Sequence, residues 1–215
     1  MKKIIFFDLD GTLTDSGLGI MNSLKYGLKK LGIDCNYEGV LRTFVGPPIK
    51  EHAEEIFGIS KEDSSKLITY YREYFTQKGM YENSVYQGIE TVLKNLKKAS
   101  KILAVATSKP EVHAKEILRH FGLLDYFDYV VGATLDGKIS EKIDVIKTAL
   151  FRAKIDGKNA VMVGDRKYDI NGGKVFNMLT VGVTYGYGSE EELINANADY
   201  VAKSVQELEK ILMEI

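Results

Sequence analysis

The sequence is poor in the residues that bind soft metal ions. Its 215 residues include one cysteine, Cys35, and three histidines, at positions 52, 113 and 120, without the spacing of a metal motif. A single cysteine excludes an internal disulfide bond and a thiolate cluster, and scattered histidines argue against zinc. A metal ion here would be held by oxygen ligands, which favours Mg²⁺ or a similar hard cation.

There is also no excess of charge of either sign. Lys and Arg total 29 and Asp and Glu total 30, for a net charge of -1, so bulk charge does not indicate nucleic-acid binding. No apolar run approaches the roughly 20 residues of a membrane span. The apolar stretch that begins at Ile4 meets Asp8 after four residues, whereas that of a signal peptide continues for about 7–15. We therefore expect a cytoplasmic protein that binds neither nucleic acid nor membranes.

Short, solid apolar runs are present, and they are typical of strands buried on both faces of a sheet. They lie at residues 4–7, 102–106, 129–131, 160–163, 179–183 and 200–202. Between several of them, apolar residues recur at helical spacing, for instance Ile89, Val92 and Leu96. Strands that alternate with helices predict an α/β fold with a parallel sheet.

The segment 15–83 interrupts this alternation. It contains several helical patterns, such as Ile20, Leu24 and Leu28, but no convincing strand, and Gly46-Pro47-Pro48 is a rigid break between helices. We interpret the segment as a small helical domain inserted after the first strand, with residues 1–14 and 84–215 forming the core.

Two carboxylates end the first predicted strand. Asp8 and Asp10 share a face because alternate strand residues point the same way. The carboxyl ends of parallel strands are where open α/β sheets place ligands. Close carboxylates repel each other, so this pair indicates a bound cation or a shared proton. A plain turn at Asp10-Gly11 is the alternative.

Further candidates follow later strands. Thr107 and Ser108 offer a hydroxyl and backbone N–H groups that suit a phosphate oxygen, with Pro110 expected early in the next helix. Thr107 could instead be a helix N-cap. Lys142 lies near the start of a helix running to about Arg152, and could be an ordinary solvated lysine.

Another acidic pair follows the run at 160–163. If a helical turn starts there, Asp165 and Asp169 lie at positions i and i+4, on one side. Asp169 could also be an ordinary surface acid.

Taken in order, these residues resemble the four motifs of the haloacid dehalogenase superfamily. The matching residues are Asp8-Leu9-Asp10-Gly11-Thr12, Thr107, Lys142, and Gly164-Asp165 with Asp169. The resemblance runs from residue 3 to about 209 and implies a Rossmann-like core with a helical cap of the first type. Gly46-Pro47-Pro48 and the loop 182–189 are similar to the phosphoglycolate phosphatase and 5′-nucleotidase-like branches. Asp10 argues against a dehalogenase, and Thr12 and Ile20 argue against a sugar-phosphate mutase.

The resemblance implies a Mg²⁺-dependent phosphatase. Asp8 would attack phosphorus and form an aspartyl phosphate, and Asp10 would protonate the leaving group and then activate water. Asp8, Asp165 and the backbone carbonyl of Asp10 would bind the metal ion. Asp169 would hold a metal-bound water or orient Lys142.

The same resemblance implies a substrate site. Thr107, the Ser108 N–H and Lys142 would bind the phosphoryl oxygens, and the cap would close over them and read the leaving group. Arg42 and Lys50 are candidate cap contacts, although both could be surface charges. We expect a small phosphorylated metabolite as the substrate. The sequence does not decide whether this substrate is a phosphoglycolate-like molecule or a 5′-nucleotide. It also does not decide whether the protein is a monomer or a homodimer.

Two other functions are compatible with parts of this pattern. A phospho-accepting signalling module also uses an acceptor aspartate, a hydroxyl and a lysine on a parallel sheet. Asp10 argues against it, because a general base beside an acyl phosphate shortens the lifetime of that group. Among enzymes, a broad-specificity sugar-phosphate phosphatase is the other alternative.

Overall fold

The structure, a computed structural model, describes residues 4–35 and 37–215. Its strands, in chain order, are β1 (Ile4–Phe7), β2 (Thr14–Asp15), β3 (Ser84–Val85), β4 (Ile102–Pro110), β5 (Tyr129–Ala133), β6 (Ala160–Gly164), β7 (Leu179–Val183) and β8 (Tyr200–Ala202). The helices are α1 (Gly17–Lys30), α2 (Glu38–Arg42), α3 (Ile49–Phe57), α4 (Lys61–Tyr74), α5 (Ile89–Lys98), α6 (Glu111–His120), α7 (Lys142–Ala153), α8 (Lys167–Val175), α9 (Glu190–Asn195) and α10 (Val205–Glu214).

The chain forms two compact units. The first joins the described part of Met1–Thr14 to Val85–Ile215, and the second spans Asp15–Ser84. The short strands β2 and β3 mark the two points where the chain passes from one unit to the other. No helix within 4–35 or 37–215 combines the length and the apolar character that a membrane span requires.

The first unit contains a six-stranded sheet in the order β5-β4-β1-β6-β7-β8, and every neighbouring pair is parallel. This confirms the predicted parallel α/β fold. All four residues of β1, a central strand, are buried, so both faces of the sheet are covered at this position.

The strand order positions the functional site. The chain moves from β1 outward through β4 to β5, and then crosses to β6 on the other side of β1. Phe7, the last residue of β1, is in register with Val105 on one side and Val163 on the other. Open α/β sheets form a crevice at the carboxyl ends of strands where the order reverses in this way.

The second unit is built from helices. Its two longest, α1 and α4, pack closely at Gly27, where an added Cβ would lie 2.8 Å from Cδ1 of Leu67. Ser60 caps α4 by accepting a hydrogen bond from the Asp63 N–H at 3.1 Å. Gly58 ends α3 in the left-handed conformation, with φ 61°, which glycine adopts without strain.

Two local predictions in the first unit are wrong. Pro110 is not an early helical residue but the extended residue before α6, with φ −51° and ψ 130°. The residue before a proline is restricted to extended conformations, so Lys109 keeps the backbone in β4. Likewise, α8 begins at Lys167, so Asp165 precedes the helix and does not form an i, i+4 pair on it.

Candidate active site

The first carboxylate of the site extends the central strand. The Asp8 N–H donates to the Val163 carbonyl at 2.8 Å, which continues the β1–β6 ladder by one residue. The residue is 6% exposed, and its Oδ1 accepts a hydrogen bond from the Leu9 N–H at 2.8 Å. Gly11 then turns the chain with φ +78°. Asp8 is therefore held at the carboxyl edge of the sheet by backbone hydrogen bonds.

A buried lysine lies against Asp8. Nζ of Lys142, the first residue of α7, is 2.9 Å from Asp8 Oδ1, 2.8 Å from Asp169 Oδ1 and 3.2 Å from the Ala106 carbonyl. The two carboxylates form ion pairs with the ammonium group, and Nζ donates a hydrogen bond to the Ala106 carbonyl. Burial alone would lower the pKa of Lys142, but the carboxylates of Asp169 and Asp8 outweigh it and raise that pKa. Lys142 is thus a permanent cation in the site.

The turn between β6 and α8 supplies two further carboxylates. Asp165 Oδ2 accepts a hydrogen bond from the Tyr187 N–H at 2.8 Å. Asp169 Oδ2 accepts one from the Arg166 N–H at 3.1 Å and so helps to cap α8. Both residues are 1% exposed. This helix start orients the two acids toward Asp8, so neither is a surface residue.

Burial and mutual repulsion perturb both of these acids. Burial raises the pKa of Asp165 well above its usual value, and the charges of Asp169 and Asp8 raise it further. Burial also raises the pKa of Asp169 to about 6; Lys142 opposes this shift and Asp8 adds to it. In both cases the ionised carboxylate is poorly solvated and incompletely neutralised by positive charge, which favours its protonated form.

Glycines enclose Asp165 tightly. A Cβ added at Gly186 would lie 2.5 Å from Asp165 Cβ and 2.6 Å from its Oδ2. A Cβ at Gly11 would lie 2.6 Å from the Asp165 Cγ. Real Cβ atoms are not found at such distances. Only glycine at these two positions therefore allows the backbone to approach the Asp165 carboxylate so closely.

The acidic residues fit a hard divalent cation. Asp8, Asp165 and Asp169 each offer a carboxylate oxygen, and these oxygens lie within 4.8 Å of one another. Lys142 balances only one of the three negative charges. Asp165 Oδ1 is buried and has no hydrogen-bond partner within 4–35 and 37–215. A buried, unpaired carboxylate oxygen beside two others is the donor set that Mg²⁺ prefers.

Thr107 lies on the neighbouring strand. It is 1% exposed and pairs with Gly132 of β5, and its Oγ1 accepts a hydrogen bond from the Lys109 N–H at 3.2 Å. The N-cap alternative for Thr107 is wrong, because α6 begins only at Glu111. Ser108, the next residue, is partly exposed.

One charged residue of the site, Lys109, is not among the residues predicted from the sequence. Nζ of Lys109 lies 3.0 Å from Asp10 Oδ2, and its side chain is only 5% exposed. The signal was available, because Thr107 and Lys109 are alternate residues of an extended strand and share a face. Asp10 itself contributes no carboxylate oxygen to the acidic cluster of Asp8, Asp165 and Asp169.

The two predicted cap residues lie in the helical unit. Arg42 is exposed on α2 and forms an ion pair with Glu38 at 3.3 Å. Lys50 is partly exposed on α3. Their contact with a substrate stays a prediction.

Comparisons with known proteins bear on the identity of this site. Residues 5–183 match the profile of the family described as haloacid dehalogenase-like hydrolase. A 5′-nucleotidase of Pseudomonas aeruginosa is 39% identical over 88% of this chain and 86% of its own length. The tyrosine-protein kinase PtkA of Mycobacterium tuberculosis is 38% identical over 98% of this chain and 72% of its own.

The chain is also similar to a solved structure, both in sequence and in fold. A predicted phosphatase from Clostridium acetobutylicum covers 100% of both chains at 49% identity, with a TM-score of 0.96. Other relatives, from Vibrio species, are named phosphoglycolate phosphatase. The predicted enzyme class, a phosphoric monoester hydrolase, is confirmed by the family and by these relatives. The chain belongs to the haloacid dehalogenase-like hydrolases, as the order of its motifs predicted.

Proposed function

We propose that this protein is a Mg²⁺-dependent phosphatase that hydrolyses a small phosphomonoester through an aspartyl phosphate on Asp8. One observation carries the proposal. Asp8 is buried at the carboxyl end of the central strand, 2.9 Å from a lysine ammonium and beside two further carboxylates. A nucleophile that must attack a phosphate dianion requires this concentration of positive charge and metal-binding oxygens.

The residues that would hold the ion are Asp8, Asp165 and the backbone carbonyl of Asp10, with Asp169 acting through a bound water. When bound, Mg²⁺ would neutralise the negative charge of the phosphoryl group and fix its orientation. The buried, unpaired Oδ1 of Asp165 supports this assignment.

The protein's own groups then perform the two chemical steps. A bond forms between an Asp8 carboxylate oxygen and phosphorus while the ester P–O bond breaks. The Leu9 N–H and Lys142 both bind Asp8 Oδ1, which leaves Oδ2 for the attack. Water then attacks the acyl phosphate, and Asp8 is released as a carboxylate.

The phosphoryl oxygens need hydrogen-bond donors and positive charge beside them during both chemical steps. Thr107 and the Ser108 N–H donate hydrogen bonds to them, and Lys142 supplies the positive charge. Asp10 gives a proton to the departing alkoxide and takes one from the attacking water. This cycle returns Asp10 to its starting state with one water molecule consumed.

The substrate is a small phosphorylated metabolite of the cytoplasm. In this proposal, the helical unit 15–84 acts as the cap that reads the leaving group. Arg42 or Lys50 would bind a carboxylate such as that of phosphoglycolate. Stacking on tyrosines of α4 would instead favour a 5′-nucleotide.

The test is phosphate release with Mg²⁺ across phosphoglycolate, 5′-nucleotides, sugar phosphates and pyridoxal phosphate, with Asp8→Asn protein as the blank. We expect Mg²⁺-dependent release that chelation by EDTA stops and added Mg²⁺ restores. Activity that is indifferent to EDTA would remove the metal ion from the proposal. Release from none of these esters, together with a long-lived phosphate on Asp8, would favour a signalling module instead.

A further inference from the structure

The two aspartates at the end of β1 have different cationic partners. Asp8 Oδ1 is paired with Lys142 of α7, and Asp10 Oδ2 is paired with Lys109 at the end of β4, at 3.0 Å. A single lysine shared between both carboxylates could not distinguish them. Because each carboxylate has its own cation, the site holds them in separate and fixed orientations.

The Lys109 side chain is itself held rigidly. The side chain is 5% exposed, and the backbone N–H of the same residue donates a hydrogen bond to Thr107 Oγ1. Pro110 follows directly and restricts the Lys109 backbone to extended conformations. The ammonium group is therefore a fixed point on a strand rather than the mobile end of a surface lysine.

The ion pair leaves the two oxygens of Asp10 unequal. Oδ2 is occupied by Lys109, whereas Oδ1 is buried and has no hydrogen-bond partner in the part of the chain that the structure describes. Leaving a buried polar oxygen unpaired costs free energy, so such an oxygen indicates a group that is completed by a ligand. The leaving-group oxygen of a phosphomonoester would complete it.

We propose that Lys109 is a positioning residue for acid catalysis, because it holds Asp10 Oδ2 and so directs Oδ1 at the leaving-group oxygen. This inference rests on the proposed phosphatase function. When Asp8 attacks phosphorus, the ester bond breaks and its electron pair stays on the alkoxide oxygen. The proton on Asp10 Oδ1 moves to that oxygen, and the Asp10 carboxylate that remains faces the Lys109 ammonium.

The test compares two kinds of leaving group in one protein sample. An alkoxide needs a proton to depart, whereas 4-nitrophenolate does not. For both esters, kcat/KM reports the steps up to the first irreversible one, the transfer of phosphoryl to Asp8. The ratio of kcat/KM for the best alkyl phosphate to that for 4-nitrophenyl phosphate is independent of the fraction of protein that is folded. The ratio therefore remains informative if a variant is unstable.

We expect Lys109→Met to lower this ratio by about tenfold or more, because general acid catalysis contributes about 10²–10⁴-fold and depends on geometry. Lys109→Arg keeps the cation and should restore part of the ratio. Combined with Asp10→Asn, the Lys109→Met change should have no further effect on it, since the residue acts through Asp10. Lys147→Met, at an exposed lysine of α7, is the matched control and should leave the ratio unchanged.

Two results would overturn the inference, and they are distinguishable. Equal losses on both esters in Lys109→Met would show that Lys109 binds the phosphoryl group or only stabilises the fold. The proposed function would still stand in that case. No hydrolysis of either ester by the unaltered protein would overturn the proposed function itself, and this inference with it.

Discussion

Lys142 and Asp169 join the starts of two neighbouring helices through a buried ion pair of 2.8 Å between Nζ and Oδ1. Lys142 is the first residue of α7, and Asp169 lies in the first turn of α8. Since Lys142 also contacts Asp8 of the central strand, one side chain ties three elements of the core together. The same contact therefore serves both stability and the proposed chemistry.

Replacing Lys142 with methionine should destabilise the metal-free protein by about 3–5 kcal/mol, the usual cost of leaving buried charges without their partner. The measurement is urea-induced unfolding in EDTA at neutral pH. Lys147→Met changes an exposed residue of the same helix and should stay within about 0.5 kcal/mol of the original protein. A Lys142→Met protein as stable as this control would show that the ion pairs contribute nothing net.

Replacing Asp8 with asparagine should lower turnover by at least about 10⁴-fold, because the nucleophile is lost. The fold should persist, since Lys142 keeps its contact with Asp169. Mass spectrometry of acid-quenched protein should find a phosphoryl group on Asp8 of the original enzyme during turnover and none on the variant. Substantial activity in Asp8→Asn would rule out Asp8 as the nucleophile.

The stability of the protein should depend on pH and Mg²⁺ together. Without metal, burial raises the pKa of Asp169 to about 6 and that of Asp165 well above its usual range, whereas an unfolded aspartate titrates near ~3.9. Between these values the folded protein binds more protons than the unfolded one, so its stability falls as the pH rises through about 6. A cation that replaces these protons should therefore stabilise the protein more at high pH.

We expect the increase in Tm on adding MgCl₂ to be larger near about pH 8 than near about pH 5, since binding to the folded state alone raises stability. Thermal unfolding at the two pH values, with NaCl of equal ionic strength as the control, measures this. Asp165→Asn should remove most of the increase. An increase that is the same at both pH values would contradict a site made of these carboxylates.

Replacing Gly186 with alanine should weaken Mg²⁺ binding by about 10–100-fold, the usual effect of disturbing a residue that supports a metal ligand. The new methyl group would overlap the Gly11 carbonyl oxygen and lie 2.5 Å from Asp165 Cβ, so the Asp165 side chain, the Gly11 backbone or the loop beside Tyr187 must move. Isothermal titration with MgCl₂ gives the affinity directly. Gly39→Ala is the control, because there the nearest atom, 3.2 Å away, belongs to the exposed ring of Tyr37. An unchanged affinity in Gly186→Ala would show that this loop tolerates the shift.

Much of the fold could be predicted from local patterns. Each of the six apolar runs lies in one of the six strands of the sheet, because strand segments that are buried on both faces are apolar at successive residues. The runs at 4–7, 179–183 and 200–202 match their strands at both ends. The run at 102–106 is too short, since β4 continues to Pro110 through polar residues that face the site. Apolar content alone cannot show where a strand of this kind ends.

For the candidate site, local sequence patterns were enough to identify the polar residues that directly follow the apolar runs. Asp8, Thr107 and Asp165 each follow an apolar run, and parallel strands bring their carboxyl ends to one edge. Which of these residues contact one another depends on the tertiary structure. The 3.0 Å contact of Lys109 with Asp10, the hydrogen bond from Tyr187 to Asp165 and the raised pKa of Asp169 all depend on the strand order β4-β1-β6. Local periodicity encodes which face of an element is buried, but contacts between distant residues arise from the packing of the whole sheet.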